Sequence, residues 1–194
     1  MRHGQSVGNV TGEPLPDPAL TALGALQARA LAGRLASVGL TLVFCSPLER
    51  ALQTAVPIAR AAAAPLRACR ELVEWNRWGP YAGMTRRDLA RRFPEAQPEP
   101  GMPEPGWMHP GPESLADGEA RLRGVRALVA ALPAEARVAL VAHGTFNGML
   151  LCAWLGLAPG AAVLDQDNAA LSHLRLEPGR VTLLRLNDSG HLRP

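Results

Sequence analysis

Apolar positions follow two patterns along this chain, helical spacing and short continuous runs. Helical spacing covers residues 18–37 and predicts a helix that starts near Thr21. Residues 40–45 and 138–142 are continuous apolar runs, which are typical of strands buried on both faces of a parallel sheet. The chain therefore has the pattern of a protein in which helices cover both sides of a sheet.

The segment after the first apolar run carries strong signals for the start of a helix. Ser46 is a favoured N-cap residue, Pro47 suits the first helical position, and Glu49 completes a capping box. These signals predict a helix that begins directly after Ser46. The other predicted elements are a strand near 65–72, helices over 114–132 and 145–156, and a hairpin whose strands cover 169–176 and 181–187 around the turn at Pro178-Gly179.

Strands that alternate with helices, in a chain of 194 residues, predict the fold class α/β. We expect a single domain over residues 1–194, a three-layer α/β/α sandwich with a mostly parallel central sheet. Residues 94–112 hold seven prolines, which exclude a helix or a central strand there. This proline-rich segment is expected to form an extended excursion that serves as a lid or as a wall of a pocket.

Composition excludes several classes of function. All 20 basic residues are arginine, and the absence of lysine excludes Walker A loops, kinase-type ATP sites and Schiff-base chemistry, including that of pyridoxal phosphate. Arginine is well suited to phosphate because its planar guanidinium binds two oxygens at once. The net charge of +3 is spread along the chain, so we expect no nucleic-acid partner.

No apolar stretch reaches the ~20 residues that a membrane span requires, and residues 1–5 lack a signal-peptide pattern. We therefore expect a cytoplasmic protein without a membrane partner. The cysteines Cys45, Cys69 and Cys152 are odd in number and widely spaced, which indicates reduced, buried thiols rather than disulfides or a zinc site.

Polar residues follow both buried strands, at the points where ligands bind in parallel sheets. Ser46 and, one helical turn later, Arg50 follow the first strand, and His143-Gly144 follows the second. We expect these two segments to converge on one crevice. Another His-Gly pair lies in Arg2-His3-Gly4, at the start of the chain.

Two histidines and two arginines in one crevice suit phosphoryl transfer. A neutral imidazole can attack phosphorus when its other ring nitrogen donates to a carbonyl, which fixes the tautomer. Arginines such as Arg2 and Arg50 stabilise the charge on the phosphate oxygens without a metal ion. A carboxylic acid is needed to protonate the leaving alkoxide. The residues thus predict metal-independent chemistry on a phosphate ester.

Five segments, in order along nearly the whole chain, resemble the motifs of the histidine phosphatase superfamily, in its phosphoglycerate-mutase-like branch. They are Arg2-His3-Gly4-Gln5-Ser6-Val7-Gly8-Asn9, Ser46-Pro47-Leu48-Glu49-Arg50-Ala51-Leu52-Gln53-Thr54-Ala55, Glu74 followed by Gly79 and Gly83, Gly111-Pro112-Glu113-Ser114, and Ala142-His143-Gly144. Asn168, ahead of the predicted hairpin, also fits the pattern. The resemblance implies a phosphoglycerate mutase-like fold and a phosphatase or mutase activity.

The resemblance also implies roles for individual residues. His3 would be the nucleophile that forms a phosphohistidine, with Arg2, Arg50 and His143 as further catalytic groups. Glu74 would be the proton donor and, in the second half-reaction, the base for water. The substrate would be bound by a set of polar groups: Arg2, Asn9, Arg50, His143 and Gly144. No metal, nucleotide or other cofactor is implied.

The chain departs from the family pattern at two points. Glu74 lies five residues before Gly79, one more than is usual in the family, so Glu71 remains an alternative proton donor. A strand normally precedes the Arg-His-Gly motif, whereas only Met1 precedes it here. This favours an absent upstream segment over a sheet that lacks most of its first strand.

Three tryptophans, Trp75, Trp78 and Trp107, lie in or beside the proline-rich segment. Two interpretations are open: a small satellite core beneath a long loop, or an apolar wall that selects a bulky leaving group. The second interpretation bears on the substrate, whereas the first bears only on packing.

The residues after Glu74 favour a phosphatase over a mutase. The mutase branch typically has Arg-His-Tyr-Gly there and a lysine further on, whereas this chain has Trp75-Asn76-Arg77-Trp78-Gly79 and no lysine. We therefore predict a phosphomonoester hydrolase that acts through a phosphohistidine on a small phosphorylated metabolite. A cofactor-dependent phosphoglycerate mutase and a non-catalytic module that binds phosphorylated ligands are the alternatives. The oligomeric state stays open.

Overall fold

The computed structural model describes residues 1–13, 15, 17–77, 79, 81–109, 111–158 and 161–193, and only the backbone of 81–82 and 108–109. These residues form six α-helices and eight β-strands. The helices are α1 (Val7–Thr11), α2 (Ala22–Leu35), α3 (Glu49–Ala62), α4 (Arg86–Arg92), α5 (Leu115–Ala130) and α6 (Gly144–Trp154). The strands are β1 (Leu42–Cys45), β2 (Leu66–Ala68), β3 (Tyr81–Ala82), β4 (Ala96–Pro98), β5 (Met108–His109), β6 (Val138–Val141), β7 (Leu171–Glu177) and β8 (Arg180–Asp188). None of these helices is long and apolar enough to cross a membrane.

Four strands form the central sheet in the order β4-β2-β1-β6, and each neighbouring pair is parallel. β1 lies inside the sheet, where Val43 pairs with Leu66 of β2 and with Ala139 of β6. Its side chains alternate between two cores: Val43 packs with α2 and α3, and Phe44 packs with α5 and α6. Helices therefore cover both faces, and the predicted α/β sandwich with a parallel central sheet is confirmed.

The start of α3 differs from the prediction. The helix begins at Glu49 after the N-cap residue Leu48, so Ser46 is not the N-cap and Pro47 lies outside the helix. The hydroxyl of Ser46 instead accepts a hydrogen bond from the Leu48 N–H at 3.3 Å. The carboxylate of Asp17 accepts the Glu49 N–H at 2.8 Å. A group 32 positions away thus supplies the cap, and local sequence signals could not reveal it.

The remaining predicted elements are present, with bounds that differ by a few residues. The side chain of Thr21 caps α2, and Ser114 caps α5 in a capping box with Asp117. The segment predicted as a strand near 65–72 divides into β2 and a short 3₁₀ turn, Arg70–Leu72. The short helices α1 and α4 have no counterpart in the sequence prediction.

β6 is less buried than its continuous apolar pattern predicts. Ala139 and Val141 are buried, but Val138 and Leu140 are only partly buried. These two side chains pack at the border of the α5–α6 layer, where Trp154 is itself only partly buried. The prediction of a strand buried on both faces is therefore correct for β1 and wrong for β6.

The proline-rich segment supplies β4, which is an edge strand of the central sheet. Proline is tolerated at an edge because its missing N–H can face away from the neighbouring strand, and Pro98 ends β4. The described part of the segment contains no helix, in agreement with its composition. Further on, β5 pairs with β3 in a separate antiparallel sheet. The role of a lid stays a prediction.

The first residues of the chain lie between the central sheet and the hairpin formed by β7 and β8. Arg2 forms a parallel bridge with Ala142, whose carbonyl accepts the His3 N–H at 3.0 Å. On the hairpin side, the N–H of Ala169 donates to the carbonyl of His3 at 3.0 Å. This position brings Arg2 and His3 to the edge of the sheet where the segments after β1 and β6 begin.

Candidate active site

His3 is nearly buried, with 3% of its surface exposed, and its ring orientation is fixed by the backbone. Nδ1 lies 2.7 Å from the carbonyl oxygen of Gly4. Because a carbonyl oxygen only accepts, the proton of the neutral ring lies on Nδ1 and leaves a lone pair on Nε2. The Nε–H of Arg50 donates to this Nε2 at 3.2 Å. The ring therefore has the tautomer that an attacking imidazole requires.

The loop after His3 is held by close contacts with distant segments. The N–H of Gly4 donates to the hydroxyl of Thr54 at 3.0 Å, and the side-chain amide of Asn168 donates to the His3 carbonyl at 3.2 Å. A Cβ at Gly4 would lie 2.5 Å from the carbonyl oxygen of Gly24, so a larger residue would displace the loop. These contacts fix the backbone from which the His3 ring projects.

His143 follows β6 and is completely buried beside His3. The two ring centroids are 5.1 Å apart, and the ring planes differ by 61°. Neither ring nitrogen of His143 has a hydrogen-bond partner among the residues that the structure describes. Buried polar atoms are rarely left unpaired in proteins, so His143 marks a place for a polar atom of a ligand.

Burial lowers the pKa of both His3 and His143 well below the ordinary value of 6.5. The positive charge of Arg50 lowers both pKa values further. Both imidazoles are therefore neutral near pH 7 when the site is empty. A neutral ring keeps the Nε2 lone pair of His3 available for bonding.

Two guanidinium groups flank the histidines. Arg50 approaches from α3 and also lies 3.6 Å from the carboxylate of Asp17. Arg2 packs against Gly144, where a Cβ would come within 3.4 Å of the arginine Nε. Nη1 of Arg2 donates to the carbonyl of Gln166 at 2.7 Å, whereas its buried Nε has no hydrogen-bond partner in the described part of the chain. The site thus holds two fixed positive charges.

Asp17 links the start of α3 to Arg50, and the sequence did not single it out. The carboxylate oxygen that accepts the Glu49 N–H is also the oxygen that pairs with Arg50. Burial raises the pKa of Asp17 to about 6, although the Glu49 N–H and the charge of Arg50 oppose this effect. Asp17 is therefore a positioning residue for the Arg50 guanidinium.

Glu74 lies at the N-terminus of α6, the helix whose N-cap residue is His143. Oε1 accepts the Phe146 N–H at 2.9 Å, and Oε2 accepts the Thr145 N–H at 3.3 Å. A carboxylate is favoured there because the first N–H groups of a helix have no partner within the helix. The carboxylate of Glu71 lies elsewhere, 3.4 Å from Nε of Arg70. Of the two alternatives, the structure brings only Glu74 to the crevice.

Arg121 of α5 anchors the segment that carries Glu74. Its Nη1 donates to the backbone carbonyls of Glu71 and Val73, at 3.0 and 2.8 Å. Its Nε and Nη2 donate to the two carboxylate oxygens of Glu113, at 2.6 and 2.7 Å. This paired geometry holds Arg121 rigidly, so Arg121 and Glu113 act as positioning residues for Glu74.

Asn9 lies in α1 and reaches the site through Asn168. Its Oδ1 accepts hydrogen bonds from the backbone N–H and the hydroxyl of Ser6, both at 3.0 Å, and from the amide of Asn168 at 3.1 Å. Because the oxygen is held in this way, the side-chain NH₂ is the group that Asn9 can offer to a ligand.

A cavity of about 1110 Å³ opens at this crevice. Arg2, Glu74 and Gly144 line it, and Trp75 continues its wall, whereas the buried His3 and His143 are not among its lining residues. Trp107 is not among the lining residues, and Trp78 lies outside the described part of the chain. The volume is that of a site for a small molecule. Within the described ranges, no group of three or more His, Cys, Asp or Glu side chains could hold a metal ion.

Nearly the whole chain matches one known family. A sequence model of the histidine phosphatase superfamily (branch 1) matches residues 1–189. The chain belongs to this superfamily. The match includes every segment of this histidine phosphatase that forms the crevice, and it confirms the resemblance carried by the five motifs.

Relatives of this histidine phosphatase are named as phosphatases and as mutases. It is 30% identical over 202 residues to phosphoserine phosphatase 1 of Hydrogenobacter thermophilus, which covers 99% of this chain and 92% of that one. It is 32% identical over 174 residues to a probable phosphoglycerate mutase GpmB of Yersinia enterocolitica, and this match covers 83% of this chain and 75% of the relative. The solved structure of a mycobacterial glucosyl-3-phosphoglycerate phosphatase matches with a TM-score of 0.70, at 27% identity and 97% coverage of each chain.

The family and its phosphatase-named members identify this histidine phosphatase as an enzyme with the phosphoglycerate mutase-like fold. The predicted activity, hydrolysis of small phosphate esters through a phosphohistidine, is confirmed at the level of the family.

The two buried, neutral histidines make the stability of this histidine phosphatase sensitive to acid. In the unfolded chain His3 and His143 bind protons below about pH 6.5, whereas their lowered pKa values keep them unprotonated in the folded site. Acid therefore favours unfolding. Between pH 7.5 and 5.5 we expect the free energy of unfolding to fall by up to about 1.4 kcal/mol per pH unit for each histidine, as measured by denaturant titration.

The double variant His3→Gln, His143→Gln is the control for this pH dependence. Asp17 affects the free energy of unfolding in the opposite direction. Its pKa is raised to about 6 in the folded protein, so below about pH 6 the folded state binds a proton more tightly than the unfolded state does, and acid favours folding. Both proteins keep Asp17, so the difference between their slopes isolates the two histidines. Equal slopes in the variant and the unmodified enzyme would contradict the expectation.

Proposed function

We propose that this enzyme hydrolyses small phosphomonoesters in two steps, with His3 as the nucleophile. Glu74 enters the first step as the neutral acid, which the negative charge of the bound phosphate favours. Nε2 of His3 then attacks phosphorus, the P–O bond to the leaving group breaks, and Glu74 donates its proton to the leaving oxygen. In the second step water attacks the phosphohistidine, Glu74 takes a proton from that water, and the P–N bond breaks. Inorganic phosphate leaves, and both residues return to their starting state.

The ring orientation of His3 is the observation that carries this proposal. The contact between Nδ1 and the Gly4 carbonyl fixes the proton on Nδ1, so Nε2 faces the crevice with its lone pair. Burial and the charge of Arg50 keep the ring unprotonated. Attack on phosphorus therefore needs neither a turn of the ring nor a separate base to remove a proton.

Binding of a phosphate group would change the partner of Arg50. In the empty site the Nε–H of Arg50 donates to the lone pair of His3 that must form the new bond. A phosphate dianion is a stronger acceptor for a guanidinium than a neutral imidazole is. Arg50 would turn to the phosphate oxygens, and the nucleophile would become free only when substrate is bound.

Several groups would stabilise the charge of the transferred phosphoryl group. Arg2 and Arg50 supply positive charge from two sides. His143 supplies a ring N–H from one of its two nitrogens, which have no other partner in the described part of the chain. The amide of Asn9 and the backbone of Gly144, the first residue of α6, add neutral donors.

The relatives and the cavity support a substrate class. Relatives bear the names phosphoserine phosphatase and glucosyl-3-phosphoglycerate phosphatase, which supports a small phosphorylated metabolite as the substrate of this chain. A cytoplasmic location and the absence of nucleic-acid partners are part of the same proposal. Side chains and the N–H groups at the start of α6 supply the nucleophile, the proton donor and the groups that stabilise the phosphoryl charge. Because no step uses a metal ion, we expect the activity to persist in EDTA.

Phosphorus NMR of the reaction mixture tests the proposed function. The enzyme is incubated in EDTA with p-nitrophenyl phosphate, phosphoserine and 3-phosphoglycerate in turn, and the products are resolved. We expect inorganic phosphate from at least one ester and no 2-phosphoglycerate from 3-phosphoglycerate. Conversion to 2-phosphoglycerate once 2,3-bisphosphoglycerate is added would identify a mutase, as the name GpmB suggests for a relative. Saturable phosphate binding without any product would identify a non-catalytic binding module.

A further inference from the structure

The cavity beside Glu74 extends well beyond the space that a phosphate group needs. Its volume is about 1110 Å³, and its lining continues from Glu74 along α5 and α6 to the loop after α6. Under the proposed function Glu74 gives its proton to the leaving oxygen. Because Glu74 lines this cavity, the leaving group would then enter it, and the cavity walls would bear on which leaving groups are bound well.

Next to Glu74, the cavity wall is closely packed and mostly apolar; its polar group is the indole N–H of Trp75, which has no hydrogen-bond partner in the described part of the chain. Trp75 of the Glu74 segment and Met149 of α6 meet at Gly118 of α5. A Cβ at Gly118 would lie 3.4 Å from Cε of Met149 and 3.7 Å from Nε1 of Trp75. Leu122 of α5 continues the wall. These contacts make a firm apolar surface on the side where the leaving group would lie.

Further along the cavity, three apolar side chains remain exposed to solvent. Leu115, Leu157 and Val163 line the cavity and keep 47%, 40% and 84% of their surface exposed. Covering apolar surface with an apolar ligand is favourable, because it removes that surface from water. The exposed patch continues from the wall beside Glu74, so one extended ligand can cover both.

The charged residues along the cavity carry both signs. Arg123 and Arg126 of α5 are opposed by Glu119 of the same helix and by Asp165 and Asp167 of the loop after α6. These charges nearly balance, so they do not favour a second ionic group on the substrate. The apolar walls, by contrast, favour one kind of ligand, which is an apolar one.

We propose that this cavity binds an extended apolar leaving group, so that the preferred substrates are phosphate monoesters of apolar alcohols. The proposal rests on the proposed function, because it assigns the leaving group to the side of Glu74. A compact polar ester such as phosphoserine would leave Leu115 and Leu157 uncovered. Selectivity would then come from the burial of apolar surface rather than from ionic contacts.

A series of n-alkyl phosphates from ethyl to hexyl tests this proposal, because the chemistry of the leaving oxygen hardly changes along it. We expect kcat/KM of the unmodified enzyme to rise about twofold per methylene, and so about fifteenfold over the series. A twofold rise per methylene corresponds to about half the free energy that complete burial of a methylene would give. Phosphoserine is expected to react more slowly than hexyl phosphate.

Two pairs of substitutions provide a matched comparison. Leu115→Asn with Leu157→Asn removes apolar surface from the cavity and is expected to reduce the rise to below about threefold. Leu176→Asn with Leu184→Asn changes two leucines of the hairpin that are each 41% exposed, and the fifteenfold rise should remain. Ethyl phosphate should react at the rate of the unmodified enzyme, within about twofold, in the Leu176→Asn, Leu184→Asn variant.

The outcomes separate this proposal from the proposed function. A flat series, with phosphate release that still depends on His3, would overturn the apolar-substrate proposal and leave the phosphatase mechanism standing. No phosphate from any ester, p-nitrophenyl phosphate included, by a correctly folded enzyme would overturn the mechanism and this proposal with it. A flat series together with a dimer that dissociates in the Leu115→Asn, Leu157→Asn variant would assign the cavity to a second copy of the chain.

Discussion

Alanine in place of His3 is expected to lower kcat/KM for phosphate release by at least about 10⁴-fold, because this residue supplies the atom that bonds to phosphorus. Arg2 and Arg50 remain in the variant, so it should still bind inorganic phosphate with an affinity within about tenfold of the unmodified enzyme. Rates of phosphate release and calorimetric titration with phosphate measure the two quantities separately.

The covalent intermediate gives a direct check of the same expectation. With radiolabelled p-nitrophenyl phosphate and an alkaline quench, which preserves phosphohistidine, the unmodified enzyme should retain label and the His3→Ala variant should not. His173→Ala is the control, since His173 is exposed on β7 and its loss should change activity by less than about twofold. Equal labelling of His3→Ala, or activity within tenfold of the parent, would assign the nucleophile to another residue.

Glutamine in place of Glu74 is expected to lower kcat/KM for ethyl phosphate by about 10²–10⁴-fold, but by less than about tenfold for p-nitrophenyl phosphate. An alkoxide must be protonated as it leaves, whereas p-nitrophenolate leaves as the anion. Glutamine keeps one side-chain oxygen, which can accept the shorter of the two hydrogen bonds, from the Phe146 N–H, whereas its NH₂ group cannot accept the Thr145 N–H. The start of α6 should stay in place with the loss of the weaker contact. Phosphate release from the two esters at pH 7 gives the comparison.

Glu71→Gln is the matched control for this second expectation. The Glu71 carboxylate pairs with Arg70 and does not line the cavity, so its loss should change both rates by less than about twofold. A large loss for ethyl phosphate in Glu71→Gln, with a small one in Glu74→Gln, would transfer the role of proton donor to Glu71.

The sequence could predict the crevice because its main signals are local. β1 and β6 are continuous apolar runs, and ligands in parallel sheets bind just beyond the carboxyl ends of such strands. Arg50 and His143 lie at those positions, and each could be located without knowledge of any other segment. The meeting of Arg50 and His143 follows from this rule, whereas Arg2 and His3, which no predicted strand precedes, are assigned to the site by their resemblance to the family motif.

Contacts between distant segments could not be predicted in the same way. Ser46 has every local signal of an N-cap, yet Asp17 binds the first helical N–H, because tertiary packing brings a carboxylate to that position. Arg121 resembles any other arginine on a helix, and only the fold reveals that it holds the Glu74 segment. The partial burial of β6 likewise depends on how far the α5–α6 layer extends, which no pattern within β6 records.

The carbonyl of His3 joins the active site to the segment that leads into β7, since it accepts both the Ala169 N–H and the side-chain amide of Asn168. Local opening of this segment would release the backbone of the nucleophile, so its order is coupled to catalytic competence. A ligand that binds only the closed form lowers the population of the open form. Substrate and phosphate would thus protect the C-terminal part of the chain from proteases, and enzyme without a bound ligand would be degraded faster than enzyme with one.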